Sequence, residues 1–308
     1  HADHLVVLVH GLMGTENDLL YLNSKINELE GFVTLRSKSN WWIKSLSGVK
    51  RSAERLVEEI QMLQHKHPTV QKISFVGNSL GGVIARHAIQ IMHHHAAISH
   101  QGTHLCASPT SIALLPVTFI TVASPFLGVN DFTYIEDYLQ RMAGSALALP
   151  RPLKKLVALT MWRTGEELFM QDHRDRTQQL LYKMSHSEEF LQPLRLFQRR
   201  RAYANLDNDF MVIPQTGAFL SSAAVEQLRQ EHISSDTMQM GRSGKPSIVA
   251  KFTTAANQQK YDNGTYESMR QNLDNLGWEK FVVYFPGTLP LAHNAIAGVC
   301  KKPDFLFM

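Results

Sequence analysis

The chain has 308 residues, 44% hydrophobic and 19% charged, which is enough apolar material for one large buried core. Its net charge of +4, from 31 Lys+Arg against 27 Asp+Glu, is too small an excess to mark a nucleic-acid binder. Two cysteines, Cys106 and Cys300, imply no disulfide framework and point to a reducing, cytoplasmic compartment.

The first element is "HLVVLVHG" (4–11), a continuous apolar run ending in glycine and read as a buried strand. Because the chain opens inside this strand, no signal peptide is expected in it. In "TENDLLYLNSKINEL", Thr15 and Asp18 resemble an N-terminal capping box, and Leu19, Leu22, Ile26 and Leu29 recur at helical spacing. "FVTLRS" (32–37) is a second strand. The next helix, 50–66, places Ala53, Leu56, Val57, Ile60 and Leu63 on one face. A strand at 73–76, a helix at 82–92 and a strand at 117–123 follow, with 93–111 read as a loop excursion. The uncharged stretch 111–129 contains Pro116, Pro125 and Gly128 around a β-branched centre, so it predicts a buried strand and not a membrane span.

From about 131 to 198 the strand signal gives way to short helical patterns. Strands return at 199–206, 246–255 and 280–285. Alternating strands and helices predict an α/β chain: one domain over 1–308, a mostly parallel sheet with helices on both faces, and a helical insertion at 131–198.

Gly77-Asn78-Ser79-Leu80-Gly81 fits G-x-S-x-G between a strand and a helix, the context in which this pattern presents a nucleophilic serine. Its glycines are expected to permit a strained turn and to leave room for substrate above Ser79. A serine hydroxyl needs a base, and the base needs an orienting acid. Downstream of Ser79, Asp207 and Asp209 follow a predicted strand, and spacing alone does not choose between them. His293 lies in a loop after the last strand and is the candidate base. His173, His186 and His232 follow no strand, and His93 to His95 read as a solvated run. In "HGLMG" (10–14), His10 precedes Ser79 and is expected to bond locally. The backbone N–H of Leu12, with that of Leu80, is the candidate oxyanion hole.

The segments "LVVLVHGLMGTENDLLYL", "SLSGVKRSAERLVEEI", "KISFVGNSLGGVIAR", "FITVASPFLGV", "RTGEELFMQD", "LRLFQRRRAYANLDNDFMVIP" and "WEKFVVYF…LAHNAI" run almost end to end. In them the chain resembles the family known as "putative serine esterase", lipase-like α/β hydrolases. The resemblance implies an α/β hydrolase sheet with a helical cap over the site, and an Asn-x-x-x-Asp-x-x-Val motif that aligns the acid with Asp209 and not Asp207. It aligns the base with His293. The residue before the nucleophile is commonly His in such enzymes and is Asn78 here, which bears on substrate preference.

The expected activity is therefore ester hydrolysis through Ser79, His293 and Asp209, on lipid acyl esters, with no cofactor and no metal. The same machinery would serve a thioesterase, and a non-catalytic scaffold could retain the fold. Residues 141–201 hold 12 Lys+Arg and six Asp+Glu, an excess of six over that stretch. "ALALPRPLKKLVALTM" (146–161) mixes apolar residues with Arg151, Lys154 and Lys155. Peripheral contact with a membrane or lipid particle is expected there.

Overall fold

A computed structural model describes residues 2–101, 114–129, 161–209, 211–238, 246–285 and 292–298. Seven strands form one sheet: β1 (His4–Val9), β2 (Phe32–Arg36), β3 (Lys72–Asn78), β4 (Leu115–Val122), β5 (Arg199–Asn205), β6 (Ser247–Thr253) and β7 (Glu279–Tyr284). Their order is β2-β1-β3-β4-β5-β7-β6. Every pairing is parallel except that of β6 with β7. This is the α/β hydrolase sheet that the resemblance implies.

Strand alternation feeds two cores. Leu5, Val7 and Val9 of β1 point into the larger one, and Val6 and Leu8 into the smaller. The larger core is covered by α2 (Val49–Lys66) through Ala53, Leu56, Val57 and Ile60, and by α3 (Leu80–Gln101). The smaller is covered by α1 (Leu20–Asn27) through Leu22 and Ile26, and by Ile296 of a short C-terminal helix, Ala292–Ile296. Both faces are thus apolar, and the strands read as unbroken hydrophobic runs.

Several local expectations are corrected. The helix after Ser79 begins at Leu80 and runs to Gln101, so His93 to His95 lie within it. No Gly or Pro interrupts 83–101, and Gly102 is the first breaker. Of the excursion, 102–111 lies outside the described residues. Thr15 and Asp18 do bond (Thr15 N to Asp18 Oδ2, 3.2 Å), but they close a turn, and α1 starts at Leu20. Leu29 is exposed, because α1 has ended before it.

The stretch expected as an insertion is described from 161 onward. It forms α4 (Trp162–Leu168), α5 (Leu180–His186) and α6 (Glu188–Arg195). Leu168, Leu181, Met184, Phe190, Leu191 and Leu194 all enter the larger core. Glu167 of α4 also supplies the missing N-terminal cap of α2. Gly48 offers no side chain there, and Val49 N–H donates to Glu167 Oε2 at 2.7 Å. Burial pushes the Glu167 pKa up. Residues 130–160, with Arg151, Lys154 and Lys155, lie outside the described residues.

Candidate active site

All the parallel strands end on one edge of the sheet, and the expected site residues come from loops on that edge. Ser79 follows β3 directly and has φ of +53°, a left-handed conformation that a serine seldom adopts without a turn that imposes it. The turn is imposed by close packing. A Cβ on Gly77 would lie 2.4 Å from Gly82 Cα, and one on Gly81 would lie 2.1 Å from the Val9 carbonyl oxygen. The motif glycines thus seat the elbow against β1 and its own helix. Both glycines therefore meet the expectation of a strained turn that has no room for a Cβ.

A ladder of backbone bonds runs along the same edge. Ser79 N–H donates to Val122 O (2.8 Å), Ala123 N–H to Tyr203 O (2.8 Å), and Leu206 N–H to Val283 O (2.7 Å). Ala292 N–H then donates to Asn208 O (3.1 Å), which ties the short helix Ala292–Ile296, holding His293 where a loop was expected, to the loop holding Asp209. The nucleophile, acid and base candidates share one edge through strand order, although 214 residues of sequence separate the first from the last (293 − 79).

The direct contact is between Asp209 and His293. His293 Nδ1 stands 3.0 Å from both carboxylate oxygens, and both side chains are buried. A carboxylate can only accept, so Nδ1 carries the proton and Nε2 of the neutral ring is left as an acceptor. Asp209 is itself held from three other directions: Asn205 Nδ2 donates at 2.7 Å, Val212 N–H at 2.8 Å and Met211 N–H at 3.0 Å. These partners explain the Asn-x-x-x-Asp-x-x-Val spacing. Asn205 and Val212 are the motif's outer members, and each donates to the central carboxylate. Sequence reasoning had assigned Asn205 no role, although the motif carried the signal. Asp207, the alternative, pairs with Arg229 at 3.1 Å.

The loop 10–14 meets the elbow. A Cβ on Gly11 would lie 2.9 Å from Ser79 Cβ and 3.4 Å from Ser79 Oγ. Among the described residues the Leu12 and Leu80 N–H groups have no acceptor. His10 bonds locally, Nδ1–H donating to Gly11 O at 2.9 Å, and its Nε2 is buried without a partner. Asn78 is buried beside the nucleophile, with its Oδ1 unpartnered. Two turns into α3, Arg86 is fully buried over the Phe126 ring, and burial lowers its pKa to about 9. Among the described residues no cluster of His, Cys, Asp and Glu is placed to hold a metal.

Residues 1–223 match the family model described as "Putative serine esterase (DUF676)", well over half of the chain. The chain belongs to this family. Curated relatives of similar sequence include "Putative lipase ROG1" of Saccharomyces cerevisiae, 27% identical over 288 residues and 90% of this chain. "Putative lipase C4A8.10" of Schizosaccharomyces pombe is 29% identical over 223 residues and 68% of this chain. The chain spans 37% of the first relative's length and 25% of the second's. Among solved structures, a carboxyl esterase from Bacillus coagulans in complex with glycerol is 16% identical. It aligns over 73% of this chain and 77% of its own, with a TM-score of 0.39. No helix among the described residues is long and apolar enough to cross a membrane.

Proposed function

We propose that the chain is a serine hydrolase that cleaves carboxylic esters, with lipid acyl esters as its substrate class. The observation that carries the reading is the buried Asp209–His293 pair, set on the same sheet edge as a serine held at φ of +53°. In this mechanism Ser79 Oγ attacks the acyl carbonyl while His293 Nε2 takes its proton. Asp209 stabilises the resulting imidazolium through Nδ1–H. The oxyanion is received by the N–H groups of Leu12 and Leu80, each such donor typically contributing about 2.7–4 kcal/mol in the transition state. His293 then protonates the leaving alkoxide oxygen. A water molecule, deprotonated by the same ring, attacks the acyl-enzyme and releases the acid. The lipid assignment is supported by the names of the curated relatives.

In the same reading the chain is one domain with a helical cap. Of the cap expected at 131–198, the described part from 161 onward packs into the larger core. A fluorophosphonate probe tests the whole scheme. It should label the chain at Ser79 and fail to label a folded Ser79→Ala variant. That variant should also lose hydrolysis of a short p-nitrophenyl ester. More than a few per cent residual turnover, or labelling at another residue, would end the assignment.

A further inference from the structure

Three of the four tryptophans stand on the surface: Trp41 is 50% exposed, Trp42 51% and Trp162 59%. Ile43 (51%) and Met13 (43%) are exposed with them. Hydrogen bonds bring these residues together. Trp42 N–H donates to Gly14 O (2.9 Å), Met13 N–H to Ser45 Oγ (2.8 Å), and Thr164 Oγ1 to Ser45 O (2.7 Å). The cluster therefore adjoins the loop that supplies Leu12, the residue next to the glycine packed on Ser79.

Its backbone is unusual. Met13, Trp42 and Trp162 have φ of +52°, +53° and +50°, a region that bulky L-residues rarely occupy. Three strained residues in one exposed apolar cluster call for a functional reason, since burying them would have been the easier outcome. The flank supplies it. Residues 31–53 contain Arg36, Lys38, Lys44, Lys50 and Arg51 and no acid. Lys38, Lys44, Lys50 and Arg51 are exposed and have no ion-pair partner among the described residues. Exposed indoles beside unpaired cations suit the headgroup region of an anionic bilayer: the rings sit at the polar–apolar boundary and the lysines reach phosphates.

We propose that Trp41, Trp42, Ile43 and Trp162, rimmed by Lys38 and Lys44, are the surface by which this chain docks on anionic lipid, with the mouth of the hydrolase site facing the bilayer. The inference extends the hydrolase reading to the physical state of its substrate, and binding can be measured without turnover. Intrinsic fluorescence isolates the patch. The fourth tryptophan, Trp278, is 1% exposed with its Nε1–H bonded to Leu273 O, so it will not respond. Phosphatidylcholine vesicles with about a third phosphatidylserine should shift tryptophan emission to the blue, and brominated acyl chains should quench it. Ser79→Ala should bind equally, which separates this result from the fate of the catalytic scheme.

Trp41→Ser with Trp42→Asn and Trp162→Asn should weaken vesicle binding at least roughly thirtyfold while leaving hydrolysis of a soluble ester intact; asparagine tolerates the left-handed backbone. Lys38→Glu with Lys44→Glu should weaken it by a similar factor, and only on anionic vesicles. The proposal is overturned by an unshifted emission with vesicles or by unaltered binding in the tryptophan variant. It is equally overturned by emission that is blue-shifted without lipid and moves with protein concentration, since a second copy would then cover the patch.

Discussion

Replacing Asp209 by Asn separates chemistry from folding at one site. The carboxylate accepts from Val212 and Met211 N–H through Oδ1, from Asn205 through Oδ2, and from His293 through both oxygens. An amide at 209 can keep its oxygen on the two backbone groups, which turns its NH2 toward His293 and Asn205. Two donors then face each other at Asn205, but the Asn205 Oδ1 is buried without a partner and a flip of that side chain restores the bond. Folding should therefore suffer by no more than about 1–2 kcal/mol. At His293 no such repair exists. Nδ1 must become the acceptor, the proton moves to Nε2, and the ring can no longer receive the serine proton. Loss of the orienting carboxylate lowers kcat by about ten thousandfold where it has been isolated, or about 5 kcal/mol at about 1.4 kcal/mol per tenfold.

Asp207→Asn should do the reverse. It weakens the pair with Arg229, whose side chain is 7% exposed, and costs about 1–3 kcal/mol of stability with kcat nearly unchanged. Turnover of p-nitrophenyl butyrate and urea midpoints on both variants make a crossed comparison. An Asp209→Asn enzyme within tenfold of wild type would refute the reasoning. So would an Asp207→Asn enzyme that folds normally and loses two orders of magnitude in kcat.

Gly81→Ala should abolish activity and lower the urea midpoint by an amount worth roughly 3 kcal/mol, because its Cβ would fall 2.1 Å from a backbone oxygen of β1. Gly31→Ala, at φ of +85° with nothing within 4 Å, should cost only about 1–2 kcal/mol of backbone strain and leave kcat alone. Acid should weaken the fold through a buried histidine. Burial lowers the pKa of His87, so its contribution is whole above the unfolded value of about 6.5 and is lost as pH falls below it toward the folded value. The urea midpoint should drop between pH 7.5 and 5.5, and His87→Gln should shrink the drop; an identical slope in that variant would remove His87 from the account.

What could be read from sequence, and what could not, divides by how local the cause is. The strands were legible because both faces of the sheet are buried, which leaves runs such as "LVVLV" with no other reading. The elbow was legible because steric demand concentrates within a few residues: Gly77 and Gly81 lie two positions either side of Ser79, and their contacts lie within the turn and on the neighbouring strand. The end of α3 was misjudged because three consecutive histidines look polar enough for a loop, while their helix propensity is only modestly unfavourable and no Gly or Pro intervenes before Gly102. Residues 161–198 read as an insertion over the sheet because their strand signal vanishes, and their apolar faces, Leu181 and Leu194 among them, pack into the core with α2 and α3.

The acid was the hardest position. Asp207 and Asp209 differ by one strand period, and both follow the same strand. What parts them lies far away in the chain: Arg229 takes one, and His293, 84 residues on, takes the other. Only Asn205 and Val212 mark the difference within reach of a local pattern, since each donates to Asp209. The site is therefore held by a short motif that fixes the carboxylate and a long connection that delivers the ring. The first could be spelled out from neighbouring residues, and the second had to wait for the order of the strands.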